Sequence, residues 1–150
     1  MLKVGDEPPE IAVHTDTGED FHLSGLRGKR VVLYFYPKAD TPGCTVEACE
    51  FRDDVKAFAK KGAAVVGVSP DKPAAQAKFK RKYDLPFTLL ADEEKAAAEA
   101  YGVWKEKNMY GRKAMGIERT TFVIGPDGKI EKIYGKVKAK GHSAAVLAEL

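Results

Sequence analysis

The sequence predicts an α/β fold in which a central mixed sheet is flanked by helices and preceded by an N-terminal β-hairpin. Two buried-strand patterns alternate with helical segments, and such alternation implies parallel pairing of the strands. Later in the chain, two further strand patterns flank a tight turn and predict an antiparallel hairpin. The 150 residues are enough for one ordinary hydrophobic core, so we expect a single domain over residues 1–150.

The first elements are a hairpin, a buried strand and a long helix. Ile11–Val13 and Asp20–Leu23 flank the turn residues Thr17-Gly18 and predict the N-terminal hairpin. The continuous β-branched and aromatic run Val31–Tyr36 is typical of a central strand buried on both faces. A helix should begin at Thr41-Pro42, because threonine is a favoured N-cap and proline is favoured at the first helical position.

The remaining segments continue the order of strands and helices. We predict a strand over Ala64–Ser69, a helix over Pro73–Tyr83, a strand over Phe87–Ala91, a helix over Glu93–Tyr101, a loop over Gly102–Gly116, a hairpin of Thr120–Ile124 and Ile130–Tyr134, and a helix from Ser143. This order is that of a thioredoxin-like fold. Chemistry in such sheets gathers beyond the carboxyl ends of the strands, which is where Cys44 lies.

Composition and charge disfavour several classes of function. Hydrophobic residues make up 44% of the chain without any apolar run near the roughly 18 residues of a membrane span, so we expect no membrane association. The start, Met1–Asp6, lacks the apolar core of a secretory signal, which predicts a cytoplasmic protein. The 25 basic and 22 acidic residues are scattered, and their balance predicts no nucleic-acid partner.

The two cysteines, Cys44 and Cys49, both fall in the helix that begins at Thr41-Pro42. Paired cysteines in a cytosolic protein are more often catalytic or redox-sensing than a permanent structural bridge. A thiol in the first turn is predisposed to ionise, because unpaired N–H groups and the positive end of the helix dipole stabilise the anion. The three histidines lie far from the cysteines without metal-ligand spacing, so we expect no metal site and no cofactor.

The spacing of the cysteines places them on different faces of the helix. One face, predicted to look into the core, collects Cys44, Ala48, Phe51, Val55 and Phe58. Cys49 lies about 140° around from Cys44, on the polar flank. Residues five apart in an intact helix have Cα atoms roughly 8–9 Å apart, whereas a disulfide tolerates about 7 Å. A disulfide between the two would therefore require the helix to unwind in part.

Pro37, Thr41 and Cys44 form the pattern Pro-x-x-x-Thr-x-x-Cys, which resembles the active-site pattern of peroxiredoxins residue for residue. Cys49, five residues after Cys44, resembles the second cysteine of the Q-type subgroup, also called bacterioferritin comigratory proteins. That family also uses an arginine at the start of a late strand, and Arg119 stands in this setting. The resemblance extends from the N-terminal region to the C-terminal helix.

The resemblance implies an atypical 2-Cys peroxidase that reduces hydrogen peroxide and organic hydroperoxides. Cys44 would be the peroxidatic cysteine and form a sulfenic acid, and Cys49 would resolve it as an intramolecular disulfide. Thr41 and Arg119 would orient the peroxide and stabilise the leaving oxygen. Pro37 would shield the sulfur from water, or simply end the strand. Thioredoxin or a similar dithiol would reset the enzyme, and a monomer is favoured because both cysteines share one helix.

Other interpretations of the two cysteines remain open. A thiol–disulfide oxidoreductase on the same fold would use them as its redox pair, although its usual signature is Cys-x-x-Cys and it explains neither Thr41 nor Arg119. A non-enzymatic redox sensor would signal through the same helix opening. Cys44 could also be a small core residue beside an incidental surface thiol. Glu47 could contact Arg119 or simply stabilise the helix start, and we assign it no role.

Overall fold

The computed structural model describes the backbone of residues 1–150 and every side chain except that of Met109. The strands are β1 (Ala12–Thr15), β2 (Asp20–His22), β3 (Arg30–Phe35), β4 (Ala63–Ser69), β5 (Thr88–Ala91), β6 (Trp104–Met109), β7 (Arg112–Ile117), β8 (Thr120–Ile124) and β9 (Ile130–Tyr134). The α-helices are α1 (Pro42–Lys60), α2 (Pro73–Tyr83), α3 (Ala96–Ala100) and α4 (His142–Ala148), and a 3₁₀ turn covers Leu23–Leu26.

Seven of these strands form one mixed sheet in the order β2-β1-β5-β4-β3-β8-β9. Strands β3, β4 and β5 are parallel, whereas β1, β2, β8 and β9 pair antiparallel with their neighbours. The predicted α/β class, the mixed sheet flanked by helices and the N-terminal hairpin are confirmed. None of the helices in the described chain combines the length and the apolar composition that crossing a bilayer requires.

Strand β3 divides the hydrophobic core between the two faces of the sheet. Its alternate residues Val31, Leu33 and Phe35 pack into one cluster, and Val32 and Tyr34 pack into the other. All five side chains are at most 1% exposed, as expected for a central strand covered on both faces. Helix α1 covers the second face, where its Phe51 ring stacks on Tyr34 of β3 with the ring centroids 4.6 Å apart.

The sheet register brings two distant parts of the chain together at one end of β3. Because β8 runs antiparallel to β3 with Phe35 opposite Thr120, the start of β8 lies beside the end of β3. The residue before β8 is Arg119, and the loop after β3 leads into α1. This register therefore carries Arg119 toward the first turn of α1, across 75 residues of sequence from Cys44.

The predicted loop over Gly102–Gly116 is wrong, because the structure places a two-stranded antiparallel hairpin, β6–β7, in that segment. Its two-residue turn is Tyr110-Gly111, and both residues have positive φ angles, 55° and 79°, as a type I′ turn requires. The strands are rich in charged residues and largely exposed, so they lack the alternation of apolar residues that marks a half-buried strand.

Helix α3 is shorter than the predicted Glu93–Tyr101. Lys95 adopts a left-handed conformation (φ 61°), so the helix begins only at Ala96. The carboxylate of Asp92 accepts hydrogen bonds from the backbone N–H groups of Ala97 and Ala98, at 3.0 and 2.9 Å. A side chain outside the helix thus satisfies its first turn, an arrangement that the alanine-rich composition did not reveal.

Candidate active site

The first turn of α1 begins at Thr41, as predicted, but the threonine hydroxyl does not cap the helix. Thr41 has extended backbone angles (φ −90°, ψ 157°), and Pro42 is the first helical residue. The hydroxyl instead donates a hydrogen bond of 2.7 Å to the carbonyl of Lys38. Its hydrogen is thereby directed back into the loop, which leaves the oxygen lone pairs available to accept a hydrogen bond from a ligand.

Cys44 lies at the buried end of this turn, with only 1% of its surface exposed. It belongs to the same cluster as Tyr34 and Phe51, on the face of α1 that covers the sheet. The Nη2 atom of Arg119 lies 3.5 Å from the Cys44 sulfur. A guanidinium at this distance stabilises a thiolate and still has other N–H groups to offer to a substrate.

Glycine at position 43 allows Arg119 to approach the helix. A Cβ atom added at Gly43 would lie 3.2 Å from Nη2 of Arg119, a tighter contact than ordinary van der Waals packing. An alanine there would therefore require the guanidinium to shift by a few tenths of an ångström. Gly43 has a steric role here that the sequence did not reveal.

Glu47 forms an ion pair with Arg119, and sequence reasoning left this glutamate without a role. Its Oε1 atom accepts a hydrogen bond of 2.6 Å from Nη1 of Arg119, and Glu47 is fully buried. Burial raises the pKa of Glu47 to about 7, even though the charge of Arg119 opposes the shift. Burial would lower the pKa of Arg119, but the charges of Glu47 and Cys44 outweigh it and raise that pKa.

The geometry makes Arg119 a bridge between the thiol and the glutamate. One terminal nitrogen contacts the Cys44 sulfur, and the other donates to Glu47. Because the guanidinium is planar and rigid, fixing one nitrogen fixes the direction of the other. The spacing of Cys44 and Glu47, three residues apart on one helix face, was the available sequence signal for this arrangement.

Pro37 and the loop after β3 are held by a buried hydrogen-bond network. Pro37 is half-buried directly after the strand, where the sequence predicted it. The Tyr36 hydroxyl donates to Oε1 of Gln76 at 2.5 Å, and the backbone N–H of Ala39 donates to Asp71 at 2.8 Å. These bonds tie the loop to elements that follow β4 and so fix the approach to the first turn of α1.

Cys49 does not meet Cys44 in this structure. Both thiols are free, Cys44 is buried and Cys49 is half-buried, and α1 is unbroken from Pro42 to Lys60. The predicted core face is correct for Cys44, Ala48, Phe51 and Phe58, but Val55 is only half-buried and Glu47 joins the buried set. The two cysteines thus occupy different environments on one intact helix.

The β6–β7 hairpin contributes a second cation near the thiol. Lys107 is half-buried, and its Cδ atom lies 3.3 Å from the position that a Cβ of Gly116 would occupy. Burial and the charge of Arg119 lower the pKa of Lys107, while Cys44 opposes this shift. Because this segment was predicted to be a loop, the sequence did not associate Lys107 with the site.

Glu47→Gln should gain stability relative to the parent protein as the pH rises from about 4.5 to about 7. In that range the folded parent keeps a proton on Glu47 that the unfolded chain releases, so the parent loses stability with increasing pH. Glutamine does not titrate, and the difference in unfolding free energy should shift in its favour by up to about 3 kcal/mol. Urea unfolding at both pH values measures this difference.

The exposed residue Glu94 provides the matched control for that measurement, because Glu94→Gln removes a carboxylate without changing the buried pair. If the unfolding free energies of Glu47→Gln and the parent differed by the same amount at both pH values, Glu47 would not titrate in this range. A changed hydrogen bond with Arg119 alone produces such a constant difference, so only the pH-dependent part reports the raised pKa.

Comparison with known proteins gives concordant matches. Residues 4–133 match the model of the AhpC/TSA family. A putative peroxiredoxin Bcp of Coxiella burnetii is 50% identical over 149 residues, which cover 99% of each chain. Peroxiredoxin Bcp of Bacillus subtilis is 48% identical over 149 residues, covering 99% of this chain and 95% of the relative.

Solved structures of similar chains superpose over almost the whole length. Peroxiredoxin Q of Xanthomonas campestris matches with a TM-score of 0.91 and 38% identity, covering 99% of this chain and 95% of the other. PrxQ of Xylella fastidiosa matches with a TM-score of 0.93 and 34% identity at the same coverage. Another structure of the Xanthomonas protein, there called bacterioferritin comigratory protein, concerns its alkyl peroxide reduction activity.

Proposed function

The chain belongs to the AhpC/TSA family as a thiol-dependent peroxidase of the peroxiredoxin Bcp type, and from this we propose that Cys44 is the residue that reacts with the hydroperoxide. The observation that carries the proposal is the contact of 3.5 Å between the buried Cys44 sulfur and Arg119. Cys49 is only half-buried, and the cation near it, Arg52, donates instead to Asp53 and to the Tyr83 carbonyl.

The first step uses the three groups assembled at the start of α1. The Cys44 thiolate attacks the terminal oxygen of the hydroperoxide, the O–O bond breaks, and the leaving oxygen takes a proton to become water or an alcohol. Cys44 becomes a sulfenic acid. The Thr41 oxygen accepts a hydrogen bond from the peroxide, and Arg119 donates to the oxygen on which negative charge develops.

Glu47 acts in this scheme as a positioning residue for Arg119. Its Oε1 atom binds Nη1 of Arg119 at 2.6 Å, so Nη2 stays directed toward the sulfur and the substrate. Pro37, half-buried beside the loop, limits the access of water to the same turn. Lys107 adds positive charge from the hairpin.

The second step belongs to Cys49. The Cys49 thiol attacks the sulfenic sulfur of Cys44, and an intramolecular disulfide forms with release of water. The intact helix of the reduced protein supports a prior unwinding, because residues five apart on it are roughly 8–9 Å apart at Cα. A thiol reductant then restores both cysteines, and we assign this role to thioredoxin or a similar dithiol protein.

The substrates we propose are hydrogen peroxide and alkyl hydroperoxides, the latter supported by the activity studied in the Xanthomonas protein. We further propose that residues 1–150 form one domain that acts as a cytoplasmic monomer. Both cysteines lie on one helix, so the catalytic cycle needs no residue from a second subunit.

The proposed function is tested by mixing the reduced protein with a slight excess of hydrogen peroxide and following its intact mass with time. Rapid loss of two hydrogens, together with loss of both free thiols, is expected. Oxidation no faster than that of an ordinary free thiol would contradict the assignment of Cys44. Sustained turnover on addition of reduced thioredoxin separates an enzyme from a protein that is oxidised once as a sensor.

Cys49→Ser should leave the first oxidation of Cys44 as fast as in the parent but prevent the disulfide. The variant should therefore gain one oxygen atom and then further oxygens, instead of losing two hydrogens, because the sulfenic acid has no resolving thiol. Intact mass spectrometry after a single addition of peroxide distinguishes these products. A parent protein that also gains oxygen instead of losing two hydrogens would show that Cys49 is not the resolving residue.

A further inference from the structure

The last turn of α2 contacts both ends of the segment that contains the two cysteines. We define the redox segment as residues Thr41–Arg52, which run from the helix N-cap to the residue three positions after Cys49. The Tyr83 hydroxyl donates a hydrogen bond of 2.8 Å to Oδ1 of Asp40, directly before this segment. The Tyr83 carbonyl accepts a hydrogen bond of 2.8 Å from Nη1 of Arg52, at the C-terminal end of the redox segment.

Each of these contacts occupies a group that the local backbone leaves available. Asp84 adopts a left-handed conformation (φ 51°) that ends α2, so the Tyr83 carbonyl has no partner within its own helix. Arg52 supplies that partner. Asp40 is also left-handed (φ 61°), a conformation that aspartate tolerates better than most residues.

The Tyr83 side chain is itself fixed to the core. Its ring packs edge-on against Phe79, with the ring centroids 5.6 Å apart, and Phe79 is 1% exposed. Lys82 adds a second bond to Asp40, from Nζ to Oδ2 at 2.9 Å. The bonds from Lys82 and Tyr83 hold the pKa of Asp40 below its ordinary value, so Asp40 is a carboxylate at neutral pH.

We propose that Tyr83 is a positioning residue for the resolving step: by holding Asp40 and Arg52, it keeps the redox segment helical and sets the rate at which Cys49 reaches oxidised Cys44. This inference rests on the proposed function. In the step concerned, the S–S bond forms, the S–O bond of the Cys44 sulfenic acid breaks, and the leaving hydroxide takes the Cys49 proton as water.

The proposal connects Tyr83 to two competing fates of the sulfenic acid. The bonds to Asp40 and Arg52 belong to the helical state, in which the two sulfurs are apart, and unwinding gives them up. They therefore slow disulfide formation and lengthen the time during which a second peroxide can oxidise Cys44 further. Weakening the bonds from Tyr83 to Asp40 and Arg52 should therefore speed disulfide formation and protect Cys44 from overoxidation.

The test is Tyr83→Phe, which removes only the hydroxyl that binds Asp40. Tyr110→Phe is the matched control, because Tyr110 is fully exposed at the turn of the β6–β7 hairpin. Rapid quenching with acid and intact mass spectrometry give separate rates for the first oxidation and for disulfide formation. In Tyr83→Phe, disulfide formation should be about three- to tenfold faster, the range expected for one lost hydrogen bond, with the first oxidation unchanged.

Two further readouts distinguish positioning from a general loss of structure. The overoxidised fraction at high peroxide should fall in Tyr83→Phe, and amide exchange in the reduced protein should become faster within residues 41–52 but not in β3 or β4. Asp40→Asn keeps an acceptor for the Tyr83 hydroxyl and tolerates the left-handed backbone, so its rate of disulfide formation should lie between those of the parent and Tyr83→Phe.

The outcomes separate this inference from the proposed function. Fast first oxidation with an unchanged or slower disulfide step in Tyr83→Phe would overturn the role of Tyr83 and leave Cys44 as the reactive residue. An equal acceleration in Tyr110→Phe would also overturn it. Slow oxidation of Cys44 in the parent protein would overturn the proposed function itself.

Discussion

Replacing Cys44 with serine is expected to abolish the fast reaction with hydrogen peroxide. A serine hydroxyl does not ionise at neutral pH, so neither the helix dipole nor Arg119 can convert it into an anionic nucleophile. Cys49 remains in the variant, but it is half-buried on another face of α1, whereas Arg119 contacts the sulfur of Cys44. The remaining thiol loss should therefore proceed at the rate of an ordinary free thiol.

Stopped-flow mixing with peroxide, followed by titration of the remaining thiols, measures the rate of thiol loss. Cys49→Ser is the matched control. Both variants exchange one sulfur for one oxygen, but only Cys44→Ser should lose the fast phase. Because Cys44 is 1% exposed, a hydroxyl there adds a buried polar group, and thermal unfolding must show that the variant is folded. A parental rate in folded Cys44→Ser would identify another residue as the nucleophile.

The parts of the fold that carry the site were predictable because their signals are local. The run Val31–Tyr36 is apolar throughout, and the pair Thr41-Pro42 marks a helix start, so β3 and α1 follow from short stretches of sequence. The β6–β7 hairpin was missed because its strands lie outside the main sheet and, apart from Trp104 and Ile117 at one end, bury no row of apolar residues. Its turn, Tyr110-Gly111, also lacks the usual Asn-Gly or Asp-Gly signal.

The site was predictable to a different extent. The positions of Cys44 and Cys49 on one helix follow from spacing alone, whereas Arg119 was assigned from a resemblance and its contact depends on the pairing of β8 with β3. The role of Glu47 was harder to predict, because it depends on the burial of its side chain as well as on the pairing of β8 with β3. Its partner Arg119 is 72 residues away, and helical spacing cannot tell a buried ion pair from a solvated first-turn carboxylate.

Glu47 also links the two steps of the cycle. It lies between the cysteines, on the helix that we propose unwinds before they join. Unwinding around Glu47 would break its bond to Arg119, and the guanidinium would lose the partner that directs it toward the sulfur. In the proposed mechanism, the geometry that reduces peroxide and the geometry that forms the disulfide are therefore mutually exclusive, so the conformation of α1 would decide which reaction occurs.

Arg119→Lys is expected to lower the second-order rate constant for peroxide reduction by about a hundredfold to a thousandfold, the range for loss of one donor aimed at developing charge. Lysine keeps a positive charge but has no rigid fork, so it cannot donate to Glu47 and the reacting atoms from fixed directions. The loss should appear in the oxidation of Cys44. Disulfide formation in the small fraction that does react should be at least as fast as in the parent, because the Arg119–Glu47 bond belongs to the helical state and is given up on unwinding.

Arg30→Lys is the matched control, since Arg30 also pairs with a glutamate, with Nε 2.7 Å from Oε1 of Glu131, but lies at the opposite end of β3. It should oxidise as fast as the parent, which would show that a weakened arginine–glutamate pair elsewhere in the sheet does not slow the reaction. Equal losses in the two variants would instead attribute the effect of Arg119 to stability. A parental rate in folded Arg119→Lys would mean that positive charge near Cys44 is sufficient. The fixed directions of the two guanidinium nitrogens would then contribute nothing to the rate.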